Sequence, residues 1–148
     1  MISKKFTTKE EGFSVIEVVT IIGIFAITAG YGFSTFREAS HERELESAQA
    51  TLVRSVEEAR NKASNGMGGE DYGVLINKNS IAVFQGDSWQ GTGTEYLFSP
   101  NISSDKNGKE IIFERINGRT SEQVSVILSH KNGEKKIINI NKNGIETN

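Results

Sequence analysis

One uninterrupted apolar stretch constrains this chain more than any other feature. From Phe13 to Phe36 the sequence carries a single charged residue, Glu17. As a helix rising ~1.5 Å per residue the stretch is about 36 Å long, against ~30 Å for the hydrocarbon of a bilayer. The expectation is a membrane-spanning helix. A carboxylate inside such a helix costs about 2.5–3.5 kcal/mol at mid-bilayer, and an ionisable residue there calls for a function and a named partner. Lys4, Lys5 and Lys9 precede the stretch, with Glu10 and Glu11. Arg37, Glu38, His41, Glu42, Arg43 and Glu44 follow it without a comparable positive excess. The lysines predict an N-terminus retained in the cytoplasm. The expected localisation is therefore a single-pass protein of the inner, or cytoplasmic, membrane with its C-terminal domain outside the cytoplasm. A cleaved secretory signal has a shorter apolar core of about 7–15 residues. Ala26, Ala29 and Gly30 offer only a weak cleavage site for one, and a plain signal anchor leaves Glu17 without a role.

The helical pattern continues past the apolar stretch. Leu45, Ala48, Leu52, Val56, Ala59 and Ala63 recur every three or four residues and make one apolar stripe. Glu46, Arg54, Glu57, Glu58 and Asn61 lie off it, with Arg54 and Glu58 spaced as an opposite-charge pair. Asn65-Gly66 is a helix stop, glycine supplying the left-handed conformation. A coiled-coil seam would require larger residues than these alanines, whereas small residues allow close approach by a sheet. Gly66-Met67-Gly68-Gly69 reads as a flexible link.

Beyond it the period changes. Strands are expected near Tyr72–Ile76, Ser80–Gln85, Thr94–Phe98, Glu110–Glu114, Gln123–Ser129 and Lys135–Ile140, separated by turn signals such as Asn107-Gly108, Asn117-Gly118, Asn132-Gly133 and Asn143-Gly144. Alternation of Val124, Val126 and Leu128, and of Ile138 and Ile140, predicts one buried face each. The expected fold class is α+β: a long N-terminal helix, membrane-spanning and then amphipathic, packed on a small antiparallel sheet or two-sheet domain. The expected segments are residues 1–12 ahead of the apolar stretch; a transmembrane helix, 13–36; the amphipathic half of the same helix, 37–65; and a β-rich domain, 70–148.

The run Gly12-Phe13-Ser14-Val15-Ile16-Glu17-Val18-Val19 resembles the N-terminal motif of type IV pilins and type II secretion pseudopilins. In that family a short basic leader ends in glycine, an aromatic residue opens the mature chain, and a glutamate stands at its fifth position. The resemblance implies cleavage between Gly12 and Phe13 by a prepilin peptidase, N-methylation at Phe13, and a filament-assembly role for Glu17, whose carboxylate would pair with the new amine within the chain or on a neighbouring subunit. The i, i+4 spacing of Phe13 and Glu17 would place the two groups on one helix face. Such a pair specifies register more than it adds stability. The family often has proline where this chain has Ser34; Gly30 and Gly32 lie nearby. Glu57 to Ala63 late in the helix, and Ile112 to Gly118 before a closing hairpin, look like the GspH/FimT type of minor pseudopilin.

The implied function is a structural minor pilin or pseudopilin of a type IV pilus-like or type II secretion filament, not an enzyme. Its implied partners are other pilins or pseudopilins, the prepilin peptidase, an inner-membrane assembly platform, and membrane lipid before assembly. Two alternatives stay open. One is a DNA-binding minor pilin using Arg115, Arg119, Lys131, Lys135 and Lys136, although the net charge of −2 supplies no general attraction to nucleic acid. The other is a single-pass envelope sensor.

No cofactor and no metal are expected. There is no cysteine, and the two histidines, His41 and His130, are far apart in sequence and read as solvated surface residues. The glycines form no phosphate loop. Asp105-Lys106-Asn107-Gly108 reads as a turn rather than a calcium loop. Trp89, the one tryptophan, is either an exposed contact or folded against the sheet. No serine has a histidine base, and no catalytic constellation stands out.

Overall fold

The computed structural model describes residues 12–142 and 144–147, with backbone alone for 32–39. Residues 1–11 of the expected leader lie outside the described residues, as does Asn143 of the last turn. The chain divides between Glu38 and Ala39 into two compact units.

Helix α1 runs Val15–Ser64. In the first unit every residue from Gly12 to Tyr31 is exposed. Thr20 and Thr28 return their hydroxyls to the carbonyls of Ile16 and Ile24, which keeps these polar groups satisfied on the helix itself. The expected α+β fold led by a membrane-spanning helix is overturned here: among the described residues no helix is long and apolar enough to cross a membrane. The expected single-pass membrane localisation falls with it.

The second unit is built on the apolar stripe. Leu45, Ala48, Leu52, Val56, Ala59 and Ala63 are all buried in one core. Two four-stranded antiparallel sheets supply the rest of it. One has the order β3-β2-β1-β5, from β1 (Tyr72–Ile76), β2 (Ser80–Gln85), β3 (Thr94–Leu97) and β5 (Lys109–Phe113). The other has the order β4-β6-β7-β8, from β4 (Ile102–Ser104), β6 (Val124–His130), β7 (Lys135–Asn141) and β8 (Gly144–Thr147). Val74, Ile76, Ile81, Val83, Ile111 and Phe113 reach the core from the first sheet, and Ile102, Val126, Leu128, Ile138 and Ile140 from the second.

The first sheet is buried on its other face too. There Leu75, Ala82 and Phe84 pack with Ile112 and Trp89. The loop after β2 folds back so that the indole meets Phe84 edge-on, at 5.6 Å between centroids, and the backbone amide of Trp89 donates to the Glu110 carboxylate at 3.2 Å. Trp89 is thus folded against the sheet. Gly73 in β1 is hemmed in by Phe84 and Ile112, leaving no space for a methyl group.

Helix α1 ends as its stop signal predicts. Gly66, at φ 63°, donates its N–H to the Ala63 carbonyl at 3.0 Å. The Gly66–Gly69 stretch is more ordered than a flexible link, since Met67–Gly69 forms a 3₁₀ turn. Charge pairing along the helix also differs from the expected Arg54–Glu58 pair. Glu58 instead holds Lys62 at 2.6 Å and accepts from the Tyr96 hydroxyl at 3.1 Å.

Candidate functional site

The residues singled out at the N-terminus lie at the start of α1. Gly12 and Phe13 precede the helix, and Phe13 is 77% exposed. The amides of Glu17 and Val18 both donate to the Ser14 carbonyl, at 3.0 and 3.2 Å, so Ser14 is the N-cap residue and Glu17 stands at the third helical position. Ser14-Val15-Ile16-Glu17 therefore has the serine-to-glutamate spacing of a capping box, a signal legible in the sequence and overlooked there. An acid in the first turn is favoured by the helix dipole by about 0.3–1 kcal/mol. Glu17 is exposed, so within one chain it suffers no burial penalty. Because the helix starts at Val15, Phe13 lies outside it, and the expected i, i+4 pairing on one helix face has no helical frame at its first member.

Around this carboxylate the helix is apolar on all sides. Val15, Ile16, Val19, Ile22, Ile24, Phe25 and Ile27 are each more than half exposed. Adding a methyl group at Gly23 or Gly30 would meet nothing within 4 Å. Chemically this surface offers dispersion contacts and close backbone approach, with one acid at its beginning.

Two of the basic residues considered for DNA, Arg115 and Lys136, contact different parts of the chain. Arg115 lies after β5, where its guanidinium donates to the Gly69 carbonyl at 3.3 Å, and Gly118 packs on Arg60 near the end of α1. Lys136, the second residue of β7, pairs with Glu46 at 3.7 Å. Glu46 and Arg60 are about 21 Å apart along α1. Asp105 is held in a turn, its carboxylate accepting from the Ile127 amide at 2.8 Å and pairing with Lys106 at 2.7 Å.

The histidines correct the sequence reading outright. His41 and His130 meet with ring centroids 4.5 Å apart and ring planes tilted by 44°. His130 is only 5% exposed. Glu44, one helical turn after His41, has its Oε2 3.8 Å from His130 Nε2. That oxygen also accepts from Ser99 Oγ at 2.6 Å and Asn101 Nδ2 at 3.2 Å. These two hydrogen bonds, and the nearby histidines, hold the Glu44 carboxyl below its usual range against a smaller opposing effect of burial. The β6–β7 turn brings His130 into place: its amide donates to the Glu134 carbonyl at 2.9 Å, and the Lys131 amide donates to the Asn101 carbonyl at 3.0 Å. Sequence spacing conceals this cluster because its members come from a helix and a hairpin joined only by the fold.

The loop after β5 carries a second unforeseen feature. Ile116 has φ 78° and is 73% exposed. A β-branched residue in the left-handed region is strained. The surroundings enforce it: Ile116 donates its amide to the Ala63 carbonyl, and the Arg115 amide donates to Asp71 Oδ1 at 2.7 Å.

The chain matches no family model, no curated protein and no solved structure.

Proposed function

We propose that this chain is a filament subunit of the minor pilin or pseudopilin kind, cleaved between Gly12 and Phe13 and held to neighbouring pilin-like subunits through the apolar segment of α1. The observation that carries the reading is the exposure of that segment around its whole circumference. A helix apolar on every side belongs in the interior of something, and exposed apolar areas beyond a few hundred Å² mark interaction surfaces. Packing among like helices buries such a surface, and glycines permit close approach. The motif from Gly12 to Glu17 supports the same reading. With Phe13 outside the helix, the amine released by cleavage is better placed to meet the Glu17 carboxylate of a neighbour than that of its own chain. Such a pair sets axial register.

Mass spectrometry of the chain from cells with an active prepilin peptidase tests this. The expected mature N-terminus is Phe13 with a methylated amine. Glu17→Ala is expected to leave cleavage intact and abolish incorporation into filaments. A chain still beginning at Met1 in such cells overturns the proposal.

A further inference from the structure

We infer that His41, Glu44 and His130 form a binding site for one divalent transition-metal ion of the zinc type, joining α1 to the β6–β7 hairpin. One ligand atom from each residue lies within 4.8 Å of the others. The i, i+3 spacing of His41 and Glu44 puts both on one helix face, opposite His130 on the hairpin. Two imidazole nitrogens, His41 Nδ1 and His130 Nε2, are buried without a hydrogen-bond partner. Buried polar atoms are ordinarily satisfied, and two orphaned nitrogens beside one carboxylate point to a shared ligand. Imidazole nitrogens and a carboxylate oxygen are the donor set that zinc accepts. The carboxylate already has its orienting partners in Ser99 and Asn101, the supporting shell that metal-binding acids require.

Zinc bonds of about 2.0–2.2 Å place tetrahedral ligands roughly 3.3 Å apart, so ligand atoms that lie within 4.8 Å of one another close by at most about 1.5 Å on loading. Three protein ligands leave the fourth position to water. The Asn132 amide donates to His130 Nδ1 at 3.1 Å, which puts the proton of the neutral ring on Nε2 in the metal-free chain. An ion bound at Nε2 requires the other tautomer, with that proton on Nδ1. The Asn132 N–H must then turn away, so occupancy is coupled to the Lys131–Gly133 turn.

The test uses the untagged full chain, stripped with chelator and titrated with zinc chloride in a calorimeter. One zinc per chain is expected, with binding weakened about 100-fold in His41→Gln and again in Glu44→Gln. His41 is only half-buried, so its substitution leaves the β-rich unit folded, which far-ultraviolet circular dichroism checks. Cobalt substitution is expected to give the intense visible bands of a four-coordinate site in the wild type alone. Amide hydrogen exchange at Asn132 is expected to accelerate with zinc. Absence of zinc binding, which would leave the cluster to a water or a histidine–carboxylate ion pair, overturns the inference. So does binding of unchanged strength in both variants.

Discussion

The two halves of α1 obey opposite rules. In residues 15–31 apolar side chains surround the helix and all are exposed; from Leu45 to Ala63 they form one stripe and all of that stripe is buried. Backbone hydrogen bonding is the same in both, so the difference lies in where the apolar surface finds its partner. The stripe finds it within the chain, in two sheets whose inner faces match it. The circumferential surface is too extensive for any single domain face, and the proposed partner is a neighbouring subunit. A helix therefore announces through its pattern whether its burial is intramolecular or reserved for assembly.

The comparison breaks most decisively at Leu52 and Ile22. Leu52 is fully buried in the core and Ile22 is 61% exposed. Leu52→Ala is expected to destabilise the monomer by about 2–5 kcal/mol, the range for a leucine removed from a packed core. Ile22→Ala is expected to stay within about 0.5 kcal/mol in the same urea titration, yet to reduce filament incorporation. Equal losses from the two would mean that the exposed segment packs within its own chain.

Part of this division is legible in the residues. The stripe, the Asn65-Gly66 stop and strands β1 and β2 follow from periodicity and turn chemistry, because these elements satisfy local and tertiary preferences together. β4 escapes such reading because Ile102-Ser103-Ser104 is too short and polar to show a period. β8 begins at Gly144, which reads as the end of a turn. The membrane-spanning expectation fails on those two criteria taken together: among the described residues no helix is both long and apolar enough to cross a membrane. The metal-ligand cluster is illegible for a topological reason: His41 and His130 meet only once the hairpin closes on α1.

Glycine positions sharpen the contrast at intermediate energy. A methyl group on Gly73 would lie 2.6 Å from the Phe84 ring and 3.0 Å from the Ile111 carbonyl oxygen, while one on Gly23 meets nothing within 4 Å. Gly73→Ala is expected to cost about 1–3 kcal/mol by overpacking. Gly23→Ala is expected to gain up to about 1 kcal/mol of helix stability in the monomer. If neighbouring backbones approach there, the same substitution weakens assembly, so monomer stability and filament yield move in opposite directions. Ile116 sets a test of the opposite sign inside the β-rich unit. Ile116→Gly relieves the left-handed strain and is expected to raise the urea midpoint, by about 0.5–1 kcal/mol in stability. A loss instead would show that the isoleucine side chain is held by contacts worth more than the strain.

The smallest expected effect is a pH dependence at the polar edge of the packed half. Hydrogen bonds to the Glu58 carboxylate raise the pKa values of both Lys62 and Tyr96. A group whose pKa rises on folding holds its proton more tightly in the native state. Its contribution is complete below the unfolded value, about 10 for tyrosine and 10.4 for lysine, and is lost as pH climbs through the higher folded value. Stability should therefore be insensitive to these groups at neutral pH and decline above pH ~10. Tyr96→Phe removes one of the two contributions, so its melting temperature should fall less steeply than that of the wild type between pH ~9 and ~11. Parallel curves would mean that Glu58 holds Lys62 alone, and that the edge of the stripe is closed by packing rather than by this hydrogen-bonded pair.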